Sequence, residues 1–371
     1  TWVKLGIWRR NKSEPVISFE RADRMNKEIS VAIRRSATLR LRVTAAAEGS
    51  VRAGHPWVFS KSVREQNRDG TAGELAVIFD RNDRFLAVGL FDPDSPIRVR
   101  VLHVGKPLTI DAEFWRAQLD TAVRRRDGLF DERTTGYRLI NGESDGWPGL
   151  VLDRYDTTLV LKIYTAAWLP RVEEITPRIQ ERLKPRRVVL RLSRNILSDA
   201  KKMPGLEDGR VLIGDRLEAG PTFLESGLRF EADVLRGQKT GFFLDQRDAR
   251  DTVQQLATGK ECLNLFSYTG AFGVAAMIGG ATRSHNVDLS ARALEGCERH
   301  RVLNGFDAER FTTQEADIFQ WLGEQREPTY DLVVLDPPAL IKSSKDAEAG
   351  KKAYHFLNRA ALRLVRDRGV F

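Results

Sequence analysis

Three aspartates and two cysteines carry much of the chemistry legible in this chain. Asp288, Asp317 and Asp336 each close a segment of strand length. An earlier run, Lys260 to Val274 (KECLNLFSYTGAFGV), passes through a turn bearing Thr269, Gly270 and Gly273 into an apolar helix. Small residues at such a turn bring bare backbone N–H groups and a helix N-terminus close to a ligand. Asp288 follows the turn by about 20 residues, the interval at which an acidic side chain meets a ribose diol in nucleotide-binding folds. A Gly-bearing turn alone is equally an ordinary strand-to-helix junction. Four strands ending in such residues at one sheet edge favour a nucleotide cofactor. The turn is not G-x-G-x-x-G and lacks the Lys of a P-loop, which removes support from dinucleotide and triphosphate ligands.

Leu335-Asp336-Pro337-Pro338 follows the fourth of these strands. Two prolines fix φ and remove backbone donors, leaving a rigid lip with free carbonyls toward a pocket where a flipped base would sit. That points to methyl transfer, although a bare Pro-Pro also serves as a strand stop. The only cysteines are Cys262 and Cys297, which excludes a disulfide scaffold or a cysteine-based zinc site and suits a reducing cytosol. Cys262 lies inside a strand and reads as sheet core, and Cys297, in ALEGCERH, falls on a helix away from the base pocket. No metal site is expected. Asn141-Gly142-Glu143-Ser144-Asp145-Gly146 lacks the ligand spacing of a calcium loop and reads as a hairpin loop.

The elements that must position these residues fall into three blocks. LRLRV, LAVIFD, FLAVGLFD and IRVRVLH, between Leu39 and His103, predict a small β barrel. Trp57 and Phe59 of HPWVFS are expected in its core and His55 in a turn. Its Arg52, Lys61, Arg64, Arg98 and Arg100 suit phosphates and a solvated strand face equally. A helix capped by an Asp covers Asp111 to Asp127. YRLINGESDGWPGLVLDRYDTTLVLKIYT then predicts two strands around a Gly-rich loop, followed by a helix over Leu169 to Leu183 and the strand RRVVLRLS. From about Glu218 strands alternate with helices, which predicts a parallel, doubly wound sheet. At 371 residues with 42% hydrophobic and 30% charged side chains the chain can bury more than one core. No apolar run reaches the roughly 20 residues of a membrane span, and no secretory leader is expected. The net charge of +9 is local, because residues 1–43 hold 11 Lys/Arg against 4 Asp/Glu. It is therefore a weaker nucleic-acid signal than the total suggests.

GQKTGFFLDQR (Gly237 to Arg247), NLFSYTGAF (Asn264 to Phe272), VDLS (Val287 to Ser290) and LDPP (Leu335 to Pro338) resemble the class I S-adenosylmethionine-dependent methyltransferases of the 23S rRNA methyltransferase I type. HPWVFS (His55 to Ser60) and LINGESDGWPGLVLDRY (Leu139 to Tyr155) extend the resemblance from about Leu39 onward. It implies a Rossmann-like α/β methyltransferase sheet preceded by a PUA-like RNA-binding barrel and a small α+β central domain. The corresponding limits are a basic extension over 1–38, the barrel over 39–108, the central domain over 109–216 and the cofactor domain over 217–371. The implied cofactor is S-adenosyl-L-methionine. Phe243, Asp245, Gln246 and Arg247 would flank it, while Asn264, Phe266, Ser267, Tyr268, Thr269 and Gly270 would form its loop. Asp288 would meet the ribose hydroxyls, Ser290 would also bind the cofactor, Asp317 would meet the adenine amino group, and Asp336, Pro337 and Pro338 the methyl-donor and target-base side. The implied reaction is methylation of cytosine carbon 5 in large-subunit (23S) rRNA, in the cytoplasm, with rRNA as partner, no membrane and a homodimer left open.

Carbon 5 of cytosine is a poor nucleophile, so this chemistry needs a thiolate that adds to carbon 6 and a base that removes the carbon 5 proton. Neither Cys262 nor Cys297 suits that role. In the family the nucleophile lies in a Ser-Cys-Ser segment after the fifth strand, so the catalytic Cys is expected beyond Phe371. The sequence begins with Thr, its first Met is Met25, and it ends within the expected fifth strand. The expectation is therefore a truncated chain, with residues 1–24 not part of the natural protein. Two other functions stay open. An N-methyltransferase of base amino groups also uses Asp-Pro-Pro, though with an aromatic where Ala339 stands, and an RNA-binding factor would keep the cofactor fold without catalysis.

Overall fold

The computed structural model of the protein describes residues 38–341 and 343–371. Apart from Thr38, the basic extension expected over 1–38 lies outside the described residues. The chain divides into two compact units, one through Leu108 and one from Thr109.

The first unit holds β1 (Leu39–Val43), α1 (Ala45–Arg52), β2 (Trp57–Phe59), β3 (Val63–Gln66), β4 (Leu75–Phe79), β5 (Phe85–Phe91) and β6 (Ile97–Val104). The strands form one sheet in the order β2-β6-β5-β4-β1-β3, in which β1 and β4 run parallel and the other neighbours antiparallel. Alternation along β1 sends Leu39, Leu41 and Val43 into a core shared with Val51, Val58, Ile78, Phe91 and Val99. The same period corrects the expectation for β2. Val58 is the buried residue, so its neighbours point away, and Phe59 is 43% exposed. Arg100, weighed as a phosphate contact, is buried, and Arg52 is paired with Glu48 and Asp80. His55 takes the turn role expected of it, its Nδ1 accepting from the Trp57 N–H at 3.2 Å.

The second unit opens with α2 (Ala112–Arg124), where Asp111 accepts from the Glu113 and Phe114 N–H groups. There follow β7 (Gly136–Asn141), β8 (Leu150–Tyr155), β9 (Thr158–Ile163), α3 (Val172–Leu183), β10 (Arg187–Leu192) and β11 (Val211–Ile213). They build a sheet in the order β11-β10-β9-β8-β7, with β9 and β10 parallel. Three strands, rather than the expected two, cover Tyr137 to Thr165, because Asp156 at φ +54 turns β8 directly into β9. The loop after β7 is tied inward, since buried Asp145 accepts from Arg125, Arg126 and the Asn141 N–H. Trp115, Trp147 and Trp168 pack together beneath this sheet, with ring centroids 5.3 to 5.7 Å apart.

A hairpin absent from the sequence reading, β12 (Thr222–Glu225) with β13 (Leu228–Glu231), leads into the last sheet. The remaining elements are α4 (Arg247–Leu256), β14 (Glu261–Leu265), α5 (Ala271–Ile278), β15 (Arg283–Asp288), α6 (Ala291–Leu303), β16 (Phe311–Glu315), α7 (Ile318–Glu324), β17 (Tyr330–Leu335), α8 (Ala347–Leu362) and β18 (Val365–Val370). The strands are all parallel, in the order β16-β15-β14-β17-β18. Leu263, Leu265, Val287 and Val333 face one core, and Cys262, Val274 and Leu332 face the other. Such a two-faced sheet gathers its site beyond the carboxyl ends of the strands, where the order reverses around β14.

Candidate active site

The loop from β14 into α5 is held in a conformation that few residues adopt. Phe266 and Tyr268 have φ of +56 and +49 on either side of Ser267, and Gly270 has φ +74. Non-glycine residues in this region cost about 1–3 kcal/mol each and concentrate where a site requires them. Gly270 is needed for a second reason, because a Cβ there would stand 2.1 Å from Cys297 Sγ. One helical turn on, a Cβ at Gly273 would stand 2.2 Å from Asn286 Oδ1, so α5 packs tightly against β15.

Asp288 closes this loop. Its Oδ2 accepts from the Tyr268 N–H at 2.7 Å and its Oδ1 from the Ser290 N–H at 2.9 Å, which fixes the carboxylate at the end of β15. Each oxygen keeps a lone pair for a further donor. Nearby, buried Ser267 Oγ and Asn264 Oδ1 have no partner, although Asn264 Nδ2 donates to Asn286 Oδ1 at 2.9 Å. Buried polar atoms without partners cost free energy unless a ligand satisfies them.

The opposite wall is the segment before α4. Phe243 meets the Tyr268 ring edge to face at 5.3 Å, and the Tyr268 hydroxyl accepts from the Gln238 N–H at 3.2 Å. Gln246 Nε2 donates to Asp336 Oδ2 at 3.3 Å, which brings this segment to the lip after β17. Asp245 is gripped by Lys239, whose Nζ donates to both carboxylate oxygens at 2.8 and 2.6 Å and lies 4.5 Å from the Phe243 ring centroid. Burial works to raise the Asp245 pKa, but the hydrogen bond and charge of Lys239 outweigh it and leave the carboxyl below its ordinary range. Asp336 moves the other way. Burial raises it, Lys239 draws it back, Asp245 adds to the rise, and the group ends above its ordinary value.

Other predicted residues stand apart from this arrangement. Asp317 caps α7, its Oδ1 accepting from the Phe319 and Gln320 N–H groups, and Ser290 Oγ caps α6. Arg247 is turned toward Phe130, with its guanidinium carbon 5.0 Å from the ring centroid, and pairs with Asp248. Thr269 serves through its carbonyl, which accepts from His300 Nδ1 at 2.8 Å. A cleft of about 930 Å³ is lined by Tyr268, Thr269 and Ser290 but not by Asp288, Asp317 or Asp336.

Three positioning devices escaped the sequence reading. The Tyr354 hydroxyl accepts from the Leu340 N–H at 3.2 Å and donates to the Pro338 carbonyl at 3.4 Å, which pins the lip to α8. Thr240 donates to Asp153 Oδ2 at 2.6 Å, and the Tyr155 hydroxyl bonds Thr240 Oγ1 at 2.8 Å, which anchors the segment before Phe243 to the central sheet. Arg250 forms a buried two-pronged pair with Glu225, at 2.6 and 2.7 Å, and donates to the Phe243 carbonyl at 3.0 Å. Lys239 stands inside a quoted motif and was recoverable. The partners of the others lie too far off in sequence for spacing to show them.

Both cysteines are fully buried. Burial pushes the Cys262 thiol up to about 12, and burial with the Glu298 and Asp288 charges pushes Cys297 higher still. Neither presents a thiolate at neutral pH. Among the described residues no group of His, Cys, Asp and Glu could hold a metal, and no helix is long and apolar enough to cross a membrane.

Comparison with known proteins matches residues 178–364 to a family described as S-adenosylmethionine-dependent methyltransferase and residues 41–103 to a PUA-like domain. A ribosomal RNA large subunit methyltransferase of Deinococcus radiodurans is 49% identical over 90% of this chain and 83% of its own length. The chain belongs to the S-adenosylmethionine-dependent methyltransferase family. A ribosomal RNA large subunit methyltransferase I of Shewanella denitrificans is 34% identical to this methyltransferase over 90% of the chain and 84% of its own. A solved S-adenosylmethionine-dependent methyltransferase of Streptococcus mutans shares the fold, with a TM-score of 0.75 at 24% identity over 90% of this chain and 85% of that one. The methyltransferase thus takes its methyl group from S-adenosylmethionine. The unpartnered Ser267 Oγ and Asn264 Oδ1 and the fixed Asp288 carboxylate are a donor and acceptor set that fits such a cofactor.

Proposed function

We propose that this methyltransferase modifies carbon 5 of a cytosine in large-subunit (23S) rRNA, in the cytoplasm. The RNA substrate rests on the 49% identity to a ribosomal RNA large subunit methyltransferase across nine-tenths of the chain. The choice of carbon over an amino nitrogen rests on the lip. Methylation of an exocyclic amine uses carbonyls of the Asp-Pro-Pro segment as acceptors and an aromatic to stack the base. Here the Pro338 carbonyl accepts from Tyr354, and Ala339 and Leu340 follow.

S-adenosylmethionine supplies a methyl group made electrophilic by its positive sulfur. In this reading Asp288 accepts from the ribose hydroxyls, Ser267 and Asn264 satisfy their free oxygens on the cofactor, and Phe243 and Phe266 offer aromatic faces. Gln246 and Asp245 orient the methyl-donor side, and the second oxygen of Asp317 remains for the adenine amino group. A thiolate adds to cytosine carbon 6, and the ring electrons displaced toward nitrogen 3 meet Asp336, whose raised proton affinity suits it to share a proton there. After carbon 5 is methylated, a base removes its proton and the carbon–sulfur bond breaks to restore the ring. Cys262 and Cys297 are buried as thiols, so neither supplies that nucleophile. In this reading residues 39–108 recognise RNA, 109–216 form the central domain and 217–371 bind the cofactor.

The mechanism is tested with 23S rRNA carrying 5-fluorocytidine, where fluorine replaces the proton the base must remove. The full-length protein with S-adenosylmethionine should form an RNA adduct that survives denaturing electrophoresis, and the Cys262→Ala and Cys297→Ala variants should form it equally. Turnover without any adduct would contradict thiolate addition.

A further inference from the structure

The parallel strands β9 and β10 of the central sheet end side by side, and the residues just beyond them leave the buried sheet for solvent. Tyr164, directly after β9, is 40% exposed, whereas every residue of β9 itself is buried. Its backbone is held firmly, because its N–H donates to the Gly149 carbonyl at 2.9 Å and its own carbonyl accepts from Asn195 Nδ2 at 3.2 Å. The Lys162 ammonium lies 5.9 Å from the ring centroid and donates to the Leu192 carbonyl at 3.0 Å. Of the charges that act on Lys162, two are the guanidinium groups of Arg191 and Arg194 and one is Asp208. Arg191 is bonded to Asp208 and to the Val234 and Gly237 carbonyls. Arg194 is exposed and forms no ion pair with a described residue.

The central sheet is tied to the segment that leads to the reaction centre. Arg191 contacts the segment that continues to Lys239 and Asp245. Asp153 of β8 accepts from Thr240 of the same segment, and Gln246 at its end donates to Asp336. An exposed ring on a rigid strand end, with an exposed guanidinium just past the end of the neighbouring strand and a segment that leads on to the lip, matches a single-stranded nucleic-acid subsite. Such sites stack a base on an aromatic face and meet its phosphate with a cation. A base inside a duplex has no face to offer, so the ligand is unpaired.

We propose that an unpaired nucleotide flanking the target in the RNA stacks on Tyr164, with its phosphate at Arg194. The inference rests on the RNA methyltransferase reading above and adds the site at which substrate RNA is gripped.

The test uses the full-length protein and the shortest 23S rRNA fragment that the wild type methylates. Tyr164→Leu should raise the KM for that fragment about 10-fold through loss of one stacked base. Tyr164→Phe, which keeps the ring, should retain wild-type affinity. Arg194→Gln should make the salt dependence of binding shallower by about one phosphate contact. The affinity for S-adenosylmethionine and the melting temperature should stay unchanged in all three, because both side chains are exposed and neither bonds a residue assigned to the cofactor. A Tyr164→Leu enzyme with wild-type KM would overturn the proposal, and so would equal losses in Tyr164→Leu and Tyr164→Phe. A wild type that methylates no rRNA fragment would remove the RNA reading and this subsite together, a result distinct from a silent Tyr164 variant of a working enzyme.

Discussion

Both Asp288 oxygens already accept from backbone N–H groups, of Tyr268 and Ser290, so the carboxylate is fixed before any ligand reaches it. A hydrogen bond to a charged acceptor contributes about 1.5–3 kcal/mol. Asp288→Ala is therefore expected to weaken S-adenosylmethionine about 10- to 100-fold by calorimetry, and an unchanged Kd would remove Asp288 from the cofactor site. His300 holds the same loop from below. Its Nδ1 donates to the Thr269 carbonyl and its Nε2 accepts from the Glu231 N–H, the pattern of a neutral imidazole. Complete burial lowers its pKa to about 4, from an ordinary value of 6.5. Because the unfolded chain binds this proton first, stability is complete above pH 6.5 and falls as the pH drops from 6.5 to 4, by about 3 kcal/mol. Urea unfolding at pH 7 and pH 4.5 should show that loss, and it should vanish in His300→Gln. Loss of equal size in the variant would place the effect on other groups.

The elements differ in how much of them the sequence disclosed. The parallel sheet was legible because strand-length runs alternate with helices and three of them lead into Asp288, Asp317 and Asp336, and Asp288 was found through its distance from the Gly270 turn. The β12–β13 hairpin was missed because each strand of Thr222 to Glu231 is only four residues long and carries charge, at Glu225, Arg229 and Glu231. Trp57 and Phe59 were misplaced because residue type was read without the alternation that sends Val58 inward. Asp317 and Ser290 show a further limit, since a side chain at a strand end that caps the next helix reads the same as one that meets a ligand. Tyr354 was invisible, because only the folded chain brings α8 to the lip. Its hydroxyl bridges the Leu340 N–H and the Pro338 carbonyl, so Tyr354→Phe frees the lip without removing a ring. Misplacement of a reacting group by an ångström costs up to about 100-fold in rate. The variant is expected to lose kcat by about 10-fold or more while keeping its cofactor Kd. Unchanged kcat would mean that the lip holds its position without Tyr354.

At the scale of the molecule, the second unit joins two sheets through the segment between β13 and α4. Arg191, Asp153 and Tyr155 grip that segment from the central sheet, and Tyr268 and Asp336 meet it from the cofactor side. The central sheet and the cofactor sheet therefore meet on one strap, while both cysteines are sealed in the core. The identity of the product decides between carbon and nitrogen chemistry at this site. The full-length protein, incubated with deproteinised 23S rRNA and methyl-labelled S-adenosylmethionine and followed by digestion to nucleosides, should place the label in 5-methylcytidine. Label in an N-methylated nucleoside would contradict the carbon 5 mechanism and move the chemistry to the carbonyls of Pro337 and Pro338.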